Sequence, residues 1–175
     1  MSAPQLLRQR AGTWTVSDCR TTVAFSVGNL GHRARGTVPV RWGEVLIDAD
    51  GAPIHASAEL DLEGLDTGIA RRNADLRKPR LLDIDRHPVM AWKAARFSRA
   101  DGGAWVAHGQ LQVRGVSVPL ALTATAEPAT DDGERLRVRA RGVVDRAAVG
   151  IQAPAFLIGR SVAIDLDAWL KPVGG

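Results

Sequence analysis

Along most of this chain apolar and polar residues alternate one for one, and few folds can accept that rhythm. In "VAFSV", Val23, Phe25 and Val27 share one face opposite Ala24 and Ser26. Only an extended strand turns every second side chain to the same side, so each such run predicts a half-buried β-strand. "HASAELDLE" sets Ala56, Ala58, Leu60 and Leu62 inward and leaves His55, Ser57, Glu59, Asp61 and Glu63 in water. "RLRVRARGVV" alternates Arg135, Arg137, Arg139 and Arg141 with Leu136, Val138, Ala140 and Gly142, and "SVAIDLDAWL" sets Val162, Ile164, Leu166, Ala168 and Leu170 against Asp165 and Asp167. In "QLQVRGVSVPLAL" the inward set is Leu111 and Val113, then Val116, Val118, Leu120 and Leu122, with a hairpin turn at Arg114 and Gly115. Pro119 lacks an N–H, so one side of its strand is expected to be unpaired.

Strands at near-regular spacing, Gly-rich turns such as "DADG", "ADGG" and "TDDG", and no repeated βα unit predict an all-β antiparallel protein. A sandwich and a closed barrel both satisfy the pattern, although the Cys, Trp, Cys signature of an immunoglobulin-type sandwich is missing. With 175 residues, 45% hydrophobic and 24% charged, the chain has enough apolar material for one well-buried domain. That domain is expected over residues 12–171, after a tail at 1–11.

The alternation stops between Gly64 and Pro88. "RRNADLRKPRLLDIDRHP", residues 71–88, holds six Lys or Arg against three Asp, with leucines at 76, 81 and 82. Asp66 or Thr67 is positioned to cap a short helix that runs toward Lys78 and stops before Pro79. Ile69 and Leu76 would share one of its faces, with Arg71, Arg72, Arg77 and Lys78 around the others. This predicts a short lid or plug over residues 67–84.

Most chemistry-bearing motifs are missing. The chain has no G-x-S-x-G elbow, phosphate loop or dinucleotide fingerprint. His32, His55, His87 and His108 lie far apart with no partner at ligand spacing, so neither a metal nor any cofactor is expected. The lone Cys19 cannot pair internally and reads as a small buried hydrophobe. Asp83, Asp85 and His87 are close enough to serve as acid and base on a small apolar substrate, which keeps an enzyme as the alternative function; the expectation for them is a capped turn leading into Pro88. The stripe of Arg135, Arg137, Arg139 and Arg141 could track nucleic acid. However, it alternates with aliphatic residues where single-strand binders need aromatic platforms, and the expectation is a solvated strand face partnered by Asp165 and Asp167. The longest uncharged run, residues 147–159, has 13 residues and contains Gly150 and Pro154, which is short of the ~20 that span a bilayer. With no apolar leader in "MSAPQLLRQR", a cytoplasmic location is expected.

An eight-stranded barrel has an interior just wide enough to fill with side chains or to admit one slender ligand, and small inward residues such as Ala56, Ala58, Ala140 and Ala168 favour a cavity. Four segments carry a family resemblance: "NLGHRARGTV" at 29–38; residues 65–92, with Thr67, Gly68, Arg72, Leu76, Arg77, Leu82, Asp83 and Pro88 in pattern and Asn73 where an acid is usual; "GQLQVRGVSVPLAL" at 109–122; and "VVDRAAVGI", which keeps Arg146 and Gly150 of a longer motif. Over residues 12–168 the chain resembles the YceI family of lipocalin-like proteins, which bind polyisoprenoids and related amphiphiles.

The resemblance implies a single extended antiparallel barrel of about eight strands under a short helical lid. It further implies that a long apolar amphiphile (a polyisoprenoid, an isoprenoid quinone or a fatty amide) is bound, carried or stored without chemistry. Its tail would meet Phe25, Val27, Leu60, Leu76, Leu81, Leu82, Ile84, Trp92 and Phe156 in the lumen. Arg72, Arg77 and Arg146 would meet its head group at the mouth, beside Lys78 and Arg80. Nucleic acid is not expected as a partner; transient membrane contact and a homodimer are both left open.

Overall fold

In the computed structural model of the protein, the described residues are 11–17, 20–29, 31–129, 134–152 and 158–174. Cys19, residues 130–133, where "TDDG" is expected to turn, and residues 1–10 of the expected tail lie outside them. The alternating runs form ten strands: β1 (Gly12–Val16), β2 (Thr22–Asn29), β3 (His32–Val38), β4 (Val40–Ile47), β5 (Pro53–Asp61), β6 (Val89–Arg99), β7 (Trp105–Val113), β8 (Val116–Pro128), β9 (Leu136–Asp145) and β10 (Ile158–Pro172). Among the described residues one α-helix, α1, spans Ala70–Leu76, and short 3-10 turns stand at Leu62–Gly64 and Asp101–Gly103.

Every named pairing is antiparallel, and consecutive strands from β4 to β10 are neighbours. The first four strands are two long staves, each broken once. β2 pairs with β3 from Asn29↔His32 to Val23↔Val38, and β1 pairs with β4 from Thr15↔Glu44 to Gly12↔Ile47, so β1 continues β2 and β4 continues β3. Pro39, which has no N–H to give a ladder, marks the break between β3 and β4. β10 then closes the ring: one edge pairs with β9, and the other pairs with β2 through Val162–Asp167 and with β1 through Leu170–Pro172. Counting each broken stave once, the protein is a closed eight-stranded antiparallel β-barrel of lipocalin-like architecture. The barrel, and not the sandwich, is the architecture adopted.

The turn of the β7–β8 hairpin needs positive φ at both residues, and Arg114 and Gly115 stand at 55° and 71°. Pro119 pairs with Gln110 on the β7 side, while the β8–β9 ladder begins only at Thr123, so its missing donor faces no neighbour. Val116, expected inward, is 38% exposed because it lies directly beside the turn.

The lid departs from expectation at its start. Asp66 and Thr67 do not cap the helix, which begins at Ala70 with Ile69 in the cap position and no side-chain cap bond. Both residues are engaged elsewhere. Asp66 bridges Thr37 of β3 through two backbone hydrogen bonds of 2.8 and 2.9 Å, and its Oδ1 accepts the Gly68 N–H and the Asn73 Nδ2. Thr67 donates its N–H and its hydroxyl to Asn73 Oδ1 at 2.9 and 2.6 Å. Asn73 is therefore the hub of the turn that carries the chain from the barrel wall onto the lid.

Candidate functional site

The barrel encloses a cavity of about 560 Å³ whose wall is almost entirely hydrocarbon. One end is plugged. Trp14, only 1% exposed, packs with Ile47, Leu136, Ala168 and Leu170 across the floor. At the other end the segment between β5 and β6, containing α1, lies over the opening. Among the described wall residues only Ile69 and Arg71 are exposed, and both belong to this lid, so the way in lies there.

Two close approaches shape the wall. Phe25 of β2 lies over Gly36 on β3, and Trp92 of β6 lies over Gly109 on β7; neither glycine has room for a Cβ under the ring. Trp92 reaches across Gly109 to donate its Nε1–H to the Leu120 carbonyl on β8 at 3.0 Å. With its polar handle satisfied inside the wall, the indole leaves hydrocarbon to face the cavity. A glycine on β7 beneath the ring of a tryptophan on β6 is thus a device for keeping the lumen apolar.

Most of the charged lining residues gather at the lid end; lower on the wall stand Thr21, Ser57 and Glu44, whose Oε1 accepts from the Ser57 hydroxyl at 3.5 Å. Thr67, Arg71, Arg72 and Asp75 line the rim of the cavity. Arg146, in the turn after β9, also lines it and is only 5% exposed. Its Nε donates to the Gly159 carbonyl at 2.8 Å and its Nη1 to the Ile151 carbonyl at 3.1 Å. These bonds hold the planar guanidinium in place while it borders an oily space. The Lys78 ammonium beside Asp75 lowers that carboxyl's pKa below its usual value of 3.8, so the rim acid stays charged at neutral pH.

Of the residues singled out in the sequence, Phe25, Val27, Leu60, Leu76, Leu81, Leu82 and Trp92 lie on the cavity wall, as do Arg72 and Arg146. Two lie elsewhere. Ile84 is 1% exposed and packed into the core under the lid, not on the wall. Arg77 is turned away from the mouth: its Nη2 binds Asp85 at 2.7 Å and Glu63 at 3.2 Å, and these two partners raise its pKa, Asp85 the more. Phe156 lies outside the described residues.

Sequence reasoning missed Thr67 and Asp75 at the rim, and Val149 and Ile151 on the wall. The last two sit in the uncharged run after Arg146, which has no strand period to show which side chains turn inward. It also missed Arg114, whose Nη1 donates to the Gly150 carbonyl and whose Nη2 donates to the Pro79 carbonyl at 2.7 Å. That guanidinium staples the β7–β8 turn to both the lid and the Arg146 turn, and the Gln152 N–H bond to the Arg80 carbonyl at 3.1 Å adds to the same join.

The acid and base candidates do not converge on the cavity. Asp83 is buried off the wall at φ 50°, Asp85 is held by Arg77, and His87 is placed beside Gly115. The β9 arginines meet acids along the outer barrel surface: Arg137 binds Asp167 at 2.6 Å, Arg141 binds Asp165 at 3.1 Å, and Arg139 approaches Glu127 at 3.8 Å. His108 shares a hydrogen bond with Ser98 on that surface. Among the described residues no three His, Cys, Asp or Glu are grouped to hold a metal, and no helix is long and apolar enough to cross a membrane.

Solved structures share this fold. The crystal structure of Burkholderia cenocepacia BcnA superposes with a TM-score of 0.77 at 14% identity, covering 89% of this chain and 98% of that one. A polyisoprenoid binding domain from Saccharophagus degradans, implicated in plant cell wall breakdown, gives 0.69 at 16% identity, covering 91% and 98%. The Campylobacter jejuni YCEI protein gives 0.68 at 14%, covering 81% and 86%. No curated protein matches the chain in sequence. Residues 14–170 match the family model of the YceI-like domain, nearly the whole barrel from its floor tryptophan to the last residue of the plug, and the chain belongs to that family.

Proposed function

We propose that the protein binds one long apolar amphiphile, a polyisoprenoid, an isoprenoid quinone or a fatty amide, and carries or stores it unchanged. The observation that carries this reading is the polarity of the cavity: its wall is almost entirely hydrocarbon, and its charged lining residues Arg71, Arg72, Asp75 and Arg146 stand at the lid end, with Glu44 on β4 the exception among the described residues. A greasy tail with one polar head fits such a gradient in one direction. The structural likeness to a polyisoprenoid binding domain supports the same ligand class.

Magnitudes assign the roles. At roughly 30 Å³ per non-hydrogen atom, a cavity of about 560 Å³ holds on the order of 20 atoms, or about four isoprene units. Burying that many carbons gains up to about 16 kcal/mol at ~0.8 per methylene, against an association cost of about 4 to 15. A charged hydrogen bond at the rim adds only about 1.5 to 3 kcal/mol. Tail length sets affinity, and Arg72 and Arg146 choose among head groups.

Native mass spectrometry with polyprenols of graded length tests this. Retention should strengthen with length up to on the order of 20 carbons and then level off as the lumen fills. No uptake of any member of the series would overturn the reading.

A further inference from the structure

The charges around the mouth do not cancel locally. Arg77 occupies both Glu63 and Asp85, Lys78 occupies Asp75, and Asp66 is taken up by Gly68 and Asn73. Asp83, the remaining acid of the lid, is 8% exposed. Arg72, Arg80 and Arg86 on the lid, with Arg35 on β3, make no ion pair among the described residues, and Arg35, Arg80 and Arg86 are exposed. Beside this unbalanced set, Ile69 stands 48% exposed on the rim of the cavity, and Val116 is 38% exposed by the β7–β8 turn at the same end. Cations flanking an exposed aliphatic side chain are the composition of a surface that lies on anionic lipid, with the apolar group entering the headgroup boundary.

We propose that the lid end docks on the surface of a bilayer containing anionic lipid, so that the mouth opens onto the membrane. Arg35, Arg80 and Arg86 face lipid phosphates while Ile69 inserts. The inference rests on the carrier reading, which supplies the reason for the arrangement: among the described residues a tail leaving the floor plugged by Trp14 has its way out past Ile69 and Arg71, and a tail released into water forfeits its burial at every methylene.

The test is co-sedimentation of the intact protein with vesicles of phosphatidylcholine, with and without phosphatidylglycerol. Binding should require the anionic lipid and fall steeply as salt is raised and the Debye length shortens. With each basic residue contributing about a five-fold factor, the triple variant Arg35→Glu, Arg80→Glu, Arg86→Glu should bind at least about 100-fold more weakly. Uptake by that variant of a polyprenol presented in detergent should be unchanged, while uptake from anionic vesicles slows. Equal binding to both vesicle types, salt-insensitive binding, or wild-type binding by the triple variant overturns the proposal, as does finding that the arginines instead hold two copies of the chain together. Because detergent-phase uptake is read separately, docking can fail while the lumen still binds, and the two outcomes are told apart.

Discussion

Arg114 occupies a backbone position where a side chain is usually a liability, with φ at 55° beside a glycine at 71°. Its guanidinium explains why a large residue stands there, since it reaches the Pro79 and Gly150 carbonyls that join the lid to the turn after β9. Arg114→Gly keeps the turn geometry and removes only the staple. Two hydrogen bonds from a charged donor outweigh the roughly 1 kcal/mol of backbone strain that glycine relieves, so a net loss of about 2 kcal/mol is expected in urea unfolding. Amide exchange should quicken at Gln152 and Leu82, whose N–H groups bond to Arg80 and Leu76. Unchanged exchange at both would show that the staple does not hold the lid. In the sequence this residue reads as a turn position and nothing more, because the turn rule that finds Gly115 is silent on what precedes it. The same lack of a rule misplaced Ile84 and Arg77: in a segment without a period of two or 3.6, neighbouring positions carry no information about which way a side chain turns.

At the scale of the lid, legibility was partial. Its existence followed from the break in alternation and its end from Pro79, but its start did not, since Asp66 and Thr67 have cap-forming chemistry and spend it on Asn73 instead. That knot gives the lid an acid sensitivity of definite sign. Asn73, and then the Gly68 N–H, lower the Asp66 pKa below its usual 3.8, and Lys78 does the same for Asp75. Groups with depressed folded values contribute stability that is present above the unfolded value and lost as pH falls through the folded one. The lid should therefore be indifferent to pH from 7 down to about 5 and loosen below about 4, seen as faster proteolysis within residues 66–88 by an acid protease. Asp145 beside Arg160 and Asp167 beside Arg137 act with the same sign on the barrel wall, so thermal stability should fall over the same window. Asn73→Ala returns Asp66 toward its ordinary range and should shallow that acid limb. A carboxyl NMR titration of Asp66 that does not move in the variant would remove Asn73 as the cause.

The whole molecule was the most legible scale, for a physical reason. A strand that is wet on one side repeats its instruction at every second residue, so Val162, Ile164, Leu166 and Ala168 can be assigned to one face without knowing what they face, and all four line the cavity. The choice between sandwich and barrel was not legible from that rhythm, because it depends on where β10 finds its second neighbour, a contact between the two ends of the chain. The presence of a hollow depends in turn on side-chain volume summed around the ring. Ala58, opposite Gly43 on β4 and Trp92 on β6, lines the cavity with no more than a methyl group. Ala58→Phe adds six carbons to this spot, roughly 180 Å³ at about 30 Å³ each. If the lumen is the binding site, the longest polyprenol held should shorten by about six carbons while stability stays level or rises by about 0.5 to 2 kcal/mol, as for other cavity-filling changes. Native mass spectrometry across the length series reads the first quantity and thermal unfolding the second. A variant that folds as well as the parent yet keeps the parent's length limit would place the tail somewhere other than this hollow.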